Sequence, residues 1–89
     1  MTIKTIHEAT SVKKANLFYE SELKVYSLVH YDTEILRISE DKEILKALQC
    51  SASSTRSIYQ VADYLGIDRQ EIKKHLVPYS NFYKYPVGN

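Results

Sequence analysis

The spacing of apolar positions changes along the chain, and each change predicts a different element. Near the N-terminus Ile6, Ala9, Val12, Phe18 and Tyr19 recur at roughly helical intervals, and Thr5 with Glu8 has the spacing of a capping box. A helix is therefore expected from about Ile6 to Tyr19, within an N-terminal segment 1–20, with Lys13 and Lys14 on its solvated side. Lys24 to Tyr31 is rich in Val, Tyr and Leu and reads as a strand. The polar group His30-Tyr31-Asp32-Thr33 interrupts it, and Glu34 to Ile38 reads as a second strand. Ser39 to Lys42 is a polar turn. Glu43 to Cys50 fits both periods: Ile44, Leu45 and Leu48 would line a helix, while Ile44, Lys46, Leu48 and Cys50 alternate on a strand. Its shortness and the preceding turn favour a strand, so strands fill 24–50.

The second half has clearer punctuation. Ser51-Ala52-Ser53-Ser54-Thr55 places small hydroxyl residues before Ile58, Val61, Ala62 and Leu65, which share one helical face. A helix follows from about Thr55 to Leu65, and Gly66 stops it. Asp68 and Glu71 form a second capping-box pattern, opening a short helix from Arg69 to Leu76 that Pro78 ends. Two helices thus occupy 55–76, and an aromatic tail at 77–89 is expected to be irregular. There is no internal repeat and no linker. The expected fold is a single α+β domain over 1–89. It has a small antiparallel sheet of two or three strands packed by helices, with a C-terminal helix-turn-helix-like αα unit.

Composition narrows the function classes. At 89 residues with 44% hydrophobic content and two each of Gly and Pro, the chain is ordered and has room for one modest core. Formal net charge is +1, but residues 51–89 carry five basic against three acidic side chains, so attraction to phosphate is mild and lies in the C-terminal half. Cys50 is the only cysteine, which excludes an intrachain disulfide and points to a reducing compartment. No apolar run has the roughly 20 residues of a membrane span, and the first residues lack a signal-peptide core, so a cytoplasmic protein with no membrane partner is expected.

The sharpest local pattern runs from Ile58 to Leu76 and resembles a helix-turn-helix. Ala62 stands where two helices must cross closely, and Gly66, four residues later, suits the turn. Val61, Leu65, Ile67 and Ile72 supply apolar contacts, while His75 stands where the last core contact belongs and Leu76 follows one residue late. In this reading Arg69 and Gln70 reach base edges of duplex DNA, and Lys73 and Lys74 contact phosphate, with a homodimer supplying affinity. The alternative is an ordinary αα-hairpin in which the same spacing serves packing.

Three other groups are candidates for chemistry. Ser53, Ser54, Thr55 and Arg56, at a helix N-terminus, have the hydroxyls, amides and guanidinium of a small-anion or nucleotide site, against the simpler reading of one capping hydroxyl. Tyr79, Phe82, Tyr83 and Tyr85 with Lys84 form an aromatic tail suited to gripping a protein, stacking on bases or covering a sheet face. His7, His30 and His75 are scattered and have no metal-ligand spacing with Cys50. Asp32 and Glu34 share a strand parity but read as solvated. No nucleophile, base and orienting group come together, so no catalytic residues, metal or cofactor are expected and the chain is read as a binding protein rather than an enzyme.

Tyr26-Ser27, Tyr31-Asp32-Thr33-Glu34-Ile35, Ser53-Ser54-Thr55-Arg56-Ser57-Ile58 and Leu65-Gly66 together are similar to a group of small uncharacterised bacteriophage proteins. In that group a Tyr-Asx-Thr strand precedes a Ser/Thr-Thr-Ser/Thr-Arg-His-Ile helix start; Ser57 takes the place of its His. The resemblance implies a compact sheet packed by a helix, and a viral or prophage accessory role in the host cytoplasm. It makes the Tyr31–Thr33 and Ser53–Arg56 elements a shared surface or a shared fold device. Three functions are expected, in this order: a DNA-binding regulator, a protein-binding inhibitor of a host enzyme or defence system, and last a small-anion or nucleotide-binding module at Ser53 to Arg56.

Overall fold

The computed structural model describes residues 2–78; of the expected aromatic tail only Val77 and Pro78 fall within them, and Tyr79, Phe82, Tyr83 and Tyr85 lie outside. The elements are β1 (Ile3–Ile6), one 3-10 turn (His7–Ala9), β2 (Ala15–Glu20), β3 (Val25–His30), β4 (Thr33–Ser39), β5 (Ile44–Gln49), α1 (Ala52–Leu65), α2 (Arg69–His75) and β6 (Val77–Pro78). The strands form a six-stranded sheet in sequence order. Four antiparallel pairings build an up-and-down meander from β1 to β5, and β6 adds in parallel to β5.

This corrects the expected fold in two places. The sheet has six strands, not two or three, because the expected N-terminal helix is a hairpin and Val77–Pro78, expected to be irregular, adds a sixth strand beside β5. Residues 15–20 alternate: Ala15, Leu17 and Tyr19 face His30, Leu28 and Tyr26 across the ladder. Leu17 and Leu28 are fully buried there, and the Tyr19 and Tyr26 rings lie 4.9 Å apart. Pairing on both sides outweighs the weak helical spacing, since propensity yields to tertiary context. Ala9 and Val12 are buried, but through the turn and loop between β1 and β2.

The second correction concerns the αα unit, which is not a helix-turn-helix. α2 has seven residues, so it is roughly 10 Å long. The chain then leaves it in extended conformation at Leu76 and joins the sheet as β6 against Leu48 and Gln49. α2 packs on both α1 and β5, and Ile72 is fully buried there. The short helix is thus part of the sheet's edge instead of a projecting recognition helix.

The other expected elements stand close to where the pattern put them. α1 starts three residues earlier than expected: Ser51 is the N-cap, its Oγ accepting from the Ser54 amide. Gly66 ends it at φ 77°, with its amide bonded to the Asp63 carbonyl and that of Ile67 to the Ala62 carbonyl. That is a Schellman closure, and the left-handed residue is the one a side chain would strain. Ile58, Val61, Ala62 and Leu65 bury the predicted face against β2, β3 and β4. A bulge opposite Leu28 and Val29 leaves Ile35 as an extra residue in β4, and it and Leu36 are both buried.

Candidate anion-binding cleft

Two groups that the sequence presents separately line one cleft. It is an open depression of about 730 Å³ walled by the end of β5 and the loop after it (Gln49, Cys50, Ser51), one side of α1 (Ala52, Thr55, Arg56, Tyr59, Gln60) and the first residue of α2 (Arg69). Arg56 and Arg69 are thirteen positions apart in sequence and both exposed. Gly66 brings them together by turning α2 back toward the side of α1 that carries Arg56 and Tyr59.

Arg69 is held in place. Its Nε donates to Asp63 Oδ1 at 3.1 Å and its Nη2 to Oδ2 at 2.6 Å. Its guanidinium carbon lies 5.3 Å from the centre of the Tyr59 ring, within cation–π range. Hydrogen bonding from Arg69 holds the Asp63 carboxyl below its ordinary value. Of the other residues proposed for DNA contact, Lys74 donates to Glu71 at 3.2 Å, while Gln70 and Lys73 are exposed on α2 and do not line the cleft.

The hydroxyl cluster divides. Thr55 and Arg56 line the cleft, and Thr55 Oγ1 donates to the Ser51 carbonyl at 3.0 Å. Ser53 is exposed but outside the lining. Ser54 is only 2% exposed and turns into the core, where its Oγ meets His30 Nδ1 at 2.7 Å and accepts from Ser51 Oγ at 3.1 Å. This buried Ser–His pair joins the start of α1 to the end of β3. Gln60 is committed to the β1–β2 loop, where it accepts from the Ser11 amide at 2.9 Å. Cys50 lies exposed in the cleft wall, and partial desolvation pushes its thiol up, away from thiolate reactivity.

A second recess, of about 250 Å³, lies on the sheet face opposite the helices and is lined by Ile3, Phe18, Glu20, Val25, Ser27 and Arg37. Beside it Glu34 accepts from Ser27 Oγ and is approached by Lys46 Nζ at 3.3 Å and Arg37 Nε at 3.6 Å. The buried Arg37 Nε has no hydrogen-bond acceptor among the described residues. His75 Nδ1 lies 2.9 Å from the Glu71 carbonyl on the surface, so Leu76 and not His75 provides the half-buried contact at the end of α2. Among the described residues no group of three or more His, Cys, Asp or Glu side chains is placed to hold a metal ion. No helix among them is long and apolar enough to cross a membrane.

Tyr59 and Asp63 were not singled out by sequence reasoning. Their signal was a second helical stripe, Ala52, Thr55, Arg56, Tyr59 and Asp63, flanking the buried one at intervals of three and four. Comparison with known protein families, with curated proteins and with solved structures finds no match to this chain.

Proposed function

We propose that this chain is a binding protein whose cleft takes a phosphate group, carried by a nucleotide or by the backbone of a nucleic acid strand. The observation that carries this reading is the placement of Arg56 and Arg69, from different elements, on one open cleft with Tyr59. Guanidinium groups match phosphate oxygens in geometry and charge. A cleft of about 730 Å³ has the size of an ordinary small-molecule site and holds one nucleotide unit. The accessory role in a bacteriophage or prophage belongs to the same proposal. The ligand contact is made by the cleft, with no recognition helix inserted into a major groove.

The test is fluorescence anisotropy with labelled single-stranded DNA, duplex DNA and a labelled mononucleotide. Two phosphate contacts give a fall of about sevenfold in affinity for a single strand, and about twelvefold for a duplex, between ~50 and ~200 mM salt. Arg56→Ala and Arg69→Ala are each expected to weaken binding by about tenfold, from loss of a charge-assisted hydrogen bond. Binding by the mononucleotide alone assigns a free nucleotide; binding by strands alone assigns nucleic acid. No binding of any of the three at low salt overturns the reading.

A protein partner is the second reading, favoured by the recess around Phe18 and Val25 on a sheet face that no described helix covers. There Ile3 is 54% exposed beside it, as an anchor point for an apolar side chain would be. Ile3→Asp is expected to abolish such binding and leave cleft binding unchanged.

A further inference from the structure

Arg69 reaches the cleft from the first turn of a seven-residue helix, on a side chain that is 57% exposed. A long exposed side chain of that kind normally samples many rotamers, and ordering it on a ligand costs binding energy. Here two neighbouring groups restrain it. Asp63 engages one edge of the guanidinium through Nε and Nη2, and the guanidinium carbon sits over the Tyr59 ring, 5.3 Å from its centre. Arginine has five N–H donors. The two bonds to Asp63 use two of them, so three remain, including both on Nη1. The carboxylate therefore orients the guanidinium without consuming it.

We propose that Asp63 is a positioning residue of the cleft: it presents Arg69 to a bound phosphate in a preset orientation, on the platform of Tyr59. This inference rests on the phosphate reading of the cleft. It has a consequence opposite to simple charge counting. Asp63 is an acid beside a site for an anion, so Coulomb repulsion alone makes its removal strengthen binding. Positioning makes its removal weaken binding, because Arg69 then loses its fixed geometry. Asp63 and Arg69 are both on the surface, so neither substitution opens the core.

The experiment uses the full chain and the labelled single-stranded DNA probe at ~50 mM salt. Wild type, Asp63→Ala, Asp63→Glu, Arg69→Ala and the Asp63→Ala/Arg69→Ala double variant are compared, with a thermal melt to verify that each is folded. The expected result is that Asp63→Ala weakens binding nearly as much as Arg69→Ala. The double variant is expected to lose no more than Arg69→Ala alone, and Asp63→Glu to recover most of the affinity. Asp63→Ala binding as tightly as wild type, or tighter, overturns the positioning role while wild-type binding leaves the phosphate reading standing. Additive losses in the double variant overturn it as well. Absence of wild-type binding removes the phosphate reading itself and the role of Asp63 with it.

Discussion

His30 Nδ1 and Ser54 Oγ meet at 2.7 Å inside the core, joining the end of β3 to the first turn of α1 across 24 residues of chain. Both residues are buried, at 9% and 2% exposure. The bond links the residue just before the Tyr31–Thr33 segment to the start of α1. Ser54 also receives the hydroxyl of the N-cap Ser51, and its carbonyl accepts from Ser57 Oγ at 2.6 Å. A small polar cluster thus fixes where α1 begins over the sheet.

Ser54→Ala is expected to destabilise the protein by about 1–3 kcal/mol, because it leaves the buried His30 nitrogen without its partner. Urea unfolding of the variant checks this. A His30→Phe/Ser54→Ala double variant should cost less than the two single changes added together, since removing both partners leaves neither unsatisfied. A loss under about 0.5 kcal/mol for Ser54→Ala is the value for an ordinary surface site and would deny the bond this role.

Backbone sign decides a second pair of variants. Gly66 has φ 77° and open space where a Cβ would point, so Gly66→Ala meets no clash but strains the backbone. The expected cost is about 1 kcal/mol. Lys24 has φ 55° in the exposed β2–β3 loop, so Lys24→Gly relieves the same strain. It is expected to be stabilising, by up to about 1 kcal/mol after the entropy cost of glycine. Thermal melts showing the same sign for both changes would contradict the backbone account.

The acid limb of stability offers a third check. Arg69 lowers the Asp63 carboxyl below its ordinary 3.8, with the Asp63–Arg69 hydrogen bond as the main cause. A folded-state value below the unfolded one means that the contact stabilises above the ordinary Asp range. That contribution is lost as pH falls through the lowered value. Wild type is therefore expected to lose slightly more stability than Asp63→Asn between about pH 5 and about pH 2. The difference is small, because both side chains are more than half exposed to solvent. Parallel pH profiles by urea unfolding would show that the contact adds nothing in solution.

Much of the local structure was legible. Val25–His30 and Thr33–Ser39 lie within one or two residues of the predicted strands, and 44–49 is a strand as the short apolar run after a turn indicated. Gly66 and Asp68 cap the helices they were expected to cap. The N-terminal segment was misread because Thr5 and Glu8 imitate a capping box. The alternation of Ala15, Leu17 and Tyr19 carried the competing signal over only six residues. The candidate site was half legible: Arg56 and Arg69 were each identified, but for two different sites.

The sequence alone determined the periodic faces, the caps and the stops, because those depend on neighbours within about one turn or one strand. It placed the buried side of α1 through Ile58, Val61, Ala62 and Leu65, and its end at Gly66. Only the tertiary structure decided that Ile3–Ile6 and Ala15–Glu20 are strands, since a strand is completed by hydrogen bonds to chain it does not adjoin. The direction of α2 was decided in the same way. The chain after His75 pairs with β5, which keeps the short helix against the sheet edge and leaves Arg69 bonded to Asp63, beside Tyr59 and on the same cleft as Arg56.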